Sequence, residues 1–135
     1  QLANAIIQGC RAEAEVEARL CRAFDAYLED LLWADGLLLG TPENFGTMSG
    51  ALKDFFDRTY YPAQPHELNL PYALFISAGN DGSGAVREIE RIACGYPLKK
   101  IAPPLIVKGE TNRDHLQESK EFGLSMAAGL AMGIF

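Results

Sequence analysis

A chain of 135 residues is long enough for one domain, residues 1–135, with a sizeable core. Its formal charge of −6, with no basic cluster beyond Lys99 and Lys100, argues against a nucleic-acid partner. Cys10, Cys21 and Cys94 form no CxxC pair, which disfavours a disulfide framework or a zinc site and suits a reducing cytoplasm; no stretch is long and apolar enough for a bilayer, and no signal-peptide pattern opens the sequence.

Residues 1–14 are predicted helical, with Leu2, Ala5, Ile6 and Cys10 on the buried face and Gly9 a weak point near the end. Residues 15–21 alternate charged and apolar side chains, the period of an edge strand with one wet face. Phe24, Tyr27, Leu28, Leu31 and Leu32 then recur at helical spacing, giving a short helix over residues 25–33. Three leucines from Leu37 form a buried strand, followed by a turn carrying Gly40, Pro42, Asn44 and Gly46. An amphipathic helix opens near Met48, with Met48, Leu52, Phe55, Phe56 and Tyr60 on one stripe and Asp54 paired with Arg58 on the wet side.

Residues 60–71, rich in proline, are expected to form a long loop, functional or mobile. Residues 72–78 are continuously apolar, as a parallel strand covered on both faces should be, and lead into a glycine-rich loop over residues 79–84. A helix over residues 85–94 is stopped by Gly95 and Pro97, with Cys94 assigned to the core. Residues 99–107 form a strand broken by Pro103 and Pro104, which places it at a sheet edge. The last helix starts at residue 112 or 113 and runs to 132; Gly123, Ala127 and Ala131, four apart, suit close packing against the sheet or a neighbouring subunit. His66 and His115 have no evident partner and are read as solvated.

This order of elements is that of a doubly wound sheet, whose ligands bind beyond the carboxyl ends of the strands. Thr41-Pro42-Glu43-Asn44-Phe45-Gly46, followed by Leu52-Lys53-Asp54-Phe55-Phe56-Asp57-Arg58, resembles the flavodoxin-like NAD(P)H-dependent FMN reductases, including the tryptophan-repressor-binding-protein-like quinone reductases. The resemblance implies an α/β, flavodoxin-like three-layer αβα sandwich with a parallel sheet of order 2-1-3-4-5, strand 1 and its phosphate loop being absent from these residues. On that reading roughly ten to fifteen further residues are expected at the N-terminus, a strand of typical length plus a loop.

The resemblance also implies a site. Backbone amides of Glu43, Asn44, Phe45 and Gly46 would face the N5 and carbonyl edge of FMN, with Phe45 against the ring and Thr41 and Pro42 shaping the turn. Glu43 is expected to offer its amide rather than its carboxylate, since negative charge beside a reduced flavin is unfavourable. Ser77, Gly79, Asn80 and Gly82 would supply donors near N1 and O2, and Asp81 is read as a turn former. Tyr60 and Tyr61 would either cover the ring or pack at a helix end.

The implied activity is hydride transfer from NADH or NADPH, through flavin N5, to a quinone or similar small acceptor, with no catalytic side chain and no metal. The implied assembly is a homodimer or homotetramer whose site lies at a subunit interface. Two alternatives stand beside it: a one-electron carrier, disfavoured because residues 77–84 contain no aromatic to sandwich the ring, and a flavin-free module acting through protein contacts.

Overall fold

In the computed structural model, which describes residues 1–135, the sheet is assembled on β2 (Leu70–Ala78). β1 (Leu37–Pro42) runs parallel along one side of it, with Leu37 opposite Tyr72 and Pro42 opposite Ser77. Along the other side two short parallel strands follow one another: β3 (Leu98–Lys100) lies opposite Leu70 to Tyr72, and β4 (Leu105–Lys108) opposite Phe75 to Ala78. Pro103 and Pro104 fall between them, so the proline-broken edge strand expected from the sequence is present. A proline has no N–H to offer a ladder, and a sheet edge is where that is tolerated.

The alternation of β2 assigns its two faces to two sets of helices. Tyr72, Leu74, Ile76 and Ala78 point to one core, shared with Leu52, Phe55 and Phe56 of α3 (Gly50–Ala63) and with Ala85, Ile89 and Ala93 of α4 (Ser83–Gly95). Phe75 points to the other face, where α1 (Leu2–Arg11) contributes Leu2, Ile6 and Cys10 and α5 (Arg113–Ala131) contributes Ala127. With both faces covered, β2 is apolar as far as Ile76, as read from its sequence, and only Ser77 near its carboxyl end is polar and exposed.

α1 and α5 meet backbone to backbone. A Cβ at Gly9 would lie 2.0 Å from the Lys120 carbonyl oxygen, and one at Gly123 would lie 2.2 Å from that of Ile6. Gly9 is therefore a contact point rather than a weak point, and the small-residue stripe of α5 packs on α1 at Gly123 and, at Ala127, on α1 together with Leu38 and Phe75 of the sheet. The Cys10 thiol donates to the Gly123 carbonyl across this seam at 3.4 Å.

Four expectations are corrected. Residues 15–21 have no regular secondary structure beyond the turn that residue 15 closes, and they join no strand of the sheet. Their alternation survives as packing, with Val16 and Ala18 against the Ile6, Cys10 and Ala127 cluster and the Arg19 guanidinium 3.7 Å from the Trp33 ring centroid. The short helix is divided into a 3₁₀ turn, Ala23–Asp25, and α2 (Leu28–Trp33). The long loop is largely helical: α3 continues through Pro62 to Ala63, a 3₁₀ turn spans Gln64–His66, and β2 starts at Leu70. Cys94 is exposed, because the inward stripe of α4 is Ala85, Ile89 and Ala93 and the next residue is turned about 100° away.

On its other side β1 has no strand neighbour. That edge opens onto a groove of about 1180 Å³, walled by residues 15–23, α1 and α5, which ends in Pro42, Ser77 and Thr111. Gln1, Leu2 and Ala3, at the start of α1, open onto the same groove.

Candidate functional site

Two loops leave the carboxyl ends of adjacent strands, residues 43–49 after β1 and residues 79–82 after β2. The first is closed at its base by Thr41, whose buried hydroxyl accepts the Ser49 amide at 2.8 Å and donates to the Pro42 carbonyl at 2.8 Å. Ser49 then caps α3 by accepting the Leu52 amide. The Glu43 amide donates to the Ser77 carbonyl at 2.8 Å, and Asn44 and Thr47 exchange both backbone hydrogen bonds.

Asn44 to Thr47 is thus a tight turn with Phe45 at φ 53° and Gly46 at φ 74° in its centre, the pattern of a type I′ turn. Glycine occupies that region freely, but a bulky aromatic does not, and Phe45 is held there fully exposed. The turn is seated on α4: a Cβ at Gly84 would fall 2.0 Å from the Gly46 carbonyl oxygen, and the Thr47 hydroxyl donates to the Glu88 carboxylate.

The second loop has no capping side chain of its own. Its last residue, Gly82 at φ 96°, is the N-cap of α4 and brings no oxygen to the helix end. Glu43 fills that role from the other loop. Its Oε1 accepts the Gly82 amide at 2.9 Å, and its Oε2 accepts those of Gly84 at 3.1 Å and Ala85 at 3.2 Å. A carboxylate on three amides at the positive end of a helix dipole is a favourable place for negative charge. Asp81 forms the expected turn: its carboxylate accepts the Ser83 hydroxyl at 2.8 Å and the Ser83 amide at 3.3 Å, and these bonds hold its pKa below the usual carboxylate value.

Of the amides anticipated from the sequence, those of Glu43, Asn44 and Gly82 are spent within the protein, whereas those of Phe45, Gly46, Gly79 and Asn80 have no partner in the chain. Gly46 and Gly79 also have open space where a side chain would stand. Ser77 is exposed at the end of the groove and Thr111 joins it there from the β4–α5 connection. An exposed aromatic beside two pairs of unbonded N–H donors and two open glycines fits the flat, acceptor-edged ring of a flavin.

Two residue groups fall elsewhere. Tyr60 packs at the far end of α3, its ring 5.2 Å from that of Tyr96 and edge-on to it, with Tyr61 exposed beside it; both lie at the amino end of the sheet and cannot cover a ring at the loops. His115 is not simply solvated, since its Nδ1 accepts the Asn112 amide at 3.2 Å in the cap of α5. No group of acidic, histidine or cysteine side chains could hold a metal ion, and no helix is long and apolar enough to cross a membrane.

The Glu43 carboxylate and Thr111 were not singled out from the sequence as site elements. The signal for Glu43 was a helix beginning Gly82-Ser83-Gly84 with no side-chain oxygen at its N-cap position, which leaves amides of its first turn open to an acceptor from elsewhere in the chain.

A parallel sheet with helices on both faces and two ligand-competent loops at the carboxyl ends of its strands defines a flavodoxin-like α/β protein. Solved structures agree in fold. A flavodoxin from the domain Archaea superposes with a TM-score of 0.83 at 23% identity, covering 96% of this chain and 88% of that one. A flavodoxin, WrbA-like protein from Agrobacterium tumefaciens gives 0.77 at 18% identity, covering 97% and 88%. The chain belongs to the NADPH-dependent FMN reductase family, whose model matches residues 1–99.

Among curated proteins, a flavodoxin from Aquifex aeolicus is 42% identical over 57 residues, 42% of this chain and 31% of that protein. An iron-sulfur flavoprotein from Methanocaldococcus jannaschii is 36% identical over 58 residues, 42% of this chain and 29% of the other. The matched stretches are thus less than a third of the length of these relatives.

Proposed function

We propose that this chain binds FMN and works as an oxidoreductase that takes hydride from NADH or NADPH and passes it to a quinone or a similar small acceptor. The observation that carries the reading is Phe45, an exposed aromatic fixed at positive φ on a turn whose two central amides are unbonded. Strain of this kind is retained where the conformation serves a ligand. Bound FMN would supply the hydride chemistry at N5, and the protein supplies orientation and electrostatics.

Each residue of the site then has a role. Thr41, Pro42 and Asn44 set the shape of the first loop. Phe45 would lie against the ring, and the amides of Phe45 and Gly46 would be free to donate to one edge of it. The amides of Gly79 and Asn80, with the Ser77 hydroxyl, would offer donors to the part of the ring where negative charge gathers on reduction. Glu43 and Gly82 hold the two loops together. The first amides of α1, which open onto the same groove, suit the phosphate, because the start of a helix presents unpaired N–H groups to an anion.

The family and the lack of any aromatic in residues 77–84 favour this reading over a one-electron carrier. A visible spectrum of the purified protein with FMN added and the excess removed tests it. The expected result is a retained flavin band bleached by NADH or NADPH and restored by a quinone. Bleaching by dithionite alone would replace the reductase with a carrier, and no retained flavin would leave a protein-interaction module.

We further place the protein in the cytoplasm, in keeping with its three unpaired cysteines, as a homodimer or homotetramer. Exposed Leu20, Phe24, Tyr27 and Leu32, close together in sequence, support association. Light scattering coupled to size exclusion is expected to give a mass of two or four chains, and a monomer would remove that part of the proposal.

A further inference from the structure

The two loops of the site are anchored unequally. The first is fixed independently of any ligand by the Thr41 to Ser49 bond, the Glu43 amide on Ser77 and the paired Asn44 and Thr47. The second bonds only to itself, through Asp81 and Ser83, apart from what Glu43 provides. The Glu43 carboxylate makes the hydrogen bonds that join the first loop to Gly82 and to the first turn of α4, while the Thr47 hydroxyl, donating to Glu88, meets α4 one turn further along.

We propose that Glu43 is a positioning residue for the flavin: its carboxylate, seated on the amides of Gly82, Gly84 and Ala85, holds the second loop at a fixed distance from the first, so that the free amides of Gly79 and Asn80 stay in register with Phe45 and Gly46. The proposal rests on the FMN reading for its consequence but not for its geometry. Charge and reach have separate duties. The charge caps α4, and the side chain, because it is tethered to the first loop, transmits that loop's position to the second. A carboxylate free in solution could perform the first duty but not the second.

That difference supplies the test, made on the full chain with Glu43→Ala and Glu43→Gln. In the apo protein, NMR order parameters of Gly79 and Asn80 are expected to fall in Glu43→Ala, together with the exchange protection of Gly84 and Ala85. FMN binding weakens about tenfold, the size of a lost hydrogen bond to a charged group, and the flavin midpoint potential shifts. Glu43→Gln, with full reach and one acceptor oxygen retained at Oε1, falls between Glu43→Ala and the parent.

Acetate added to Glu43→Ala restores protection of the α4 amides but not FMN affinity. Unchanged order parameters at Gly79 and Asn80, or acetate restoring affinity in full, would overturn the proposal. If the parent binds no FMN, the functional reading fails while the apo measurements still decide whether Glu43 holds the loop.

Discussion

Phe45 carries the plainest conflict between stability and use. At φ 53° in a turn that favours Asn-Gly, it stores strain that an asparagine would relieve. Phe45→Asn is expected to raise folding stability by about 1 kcal/mol, read in urea denaturation, while weakening FMN binding. A second residue-scale prediction concerns the buried hydroxyls. Burial pushes the pKa of Tyr72 and of Tyr96 from 10.0 to about 12. Tyr96 is held among the Thr59 hydroxyl, 2.8 Å away, and the Phe56 carbonyl, 3.2 Å away. A raised folded-state pKa means that the unfolded chain loses these protons first. The stability they contribute is complete below pH 10 and is lost as pH rises towards 12. Urea midpoints measured across that window should fall, and Tyr96→Phe should flatten part of the fall. At this scale the sequence was informative about Phe45 and Gly46, whose motif is local. It pointed away from the Glu43 carboxylate, whose partners lie 39 to 42 residues further on.

Among the elements, the seam between α1 and α5 is the most exacting. Its two glycines meet backbone carbonyls, which cannot turn aside as a side chain can. Gly123→Ala gains helix propensity yet is expected to lower stability by about 2 kcal/mol, because separating two packed helices outweighs it. Thermal unfolding followed by circular dichroism checks the sign. Helices and central strands were legible because their apolar periods are set by burial along one face. Residues 15–21 show where that legibility stops: alternation records which side chains face inward, but a strand also needs a neighbour to bond, and β1 pairs only with β2. The end of α3 shows the converse. Pro62 reads as a helix stop, yet the chain stays helical to Ala63: the ring forgoes the bond an N–H would make to the Arg58 carbonyl, and the helix ends one residue later.

For the molecule as a whole, a ligand that binds only the folded state raises its stability. FMN at a hundredfold excess over its dissociation constant should add about 2.7 kcal/mol, and an unchanged melting temperature at saturating FMN would contradict the proposed site. The order of helices and central strands, the layers and the placing of two glycine-bearing loops at the strand ends were readable in the sequence, because they follow from the alternation of buried strands with amphipathic helices. The groove was not, since it is the space between elements rather than any one of them. The broken edge strand has a final consequence for what the sheet can become. On the β3 and β4 side, Lys99, Lys100 and Lys108 and the prolines at 103 and 104 present charge and missing donors to any approaching chain. Accretion on that flank is blocked, whereas the β1 flank carries apolar leucines and intact amides. The sheet can therefore widen in one direction only, and any strand it recruits, from whatever source, must arrive alongside Leu37 to Thr41.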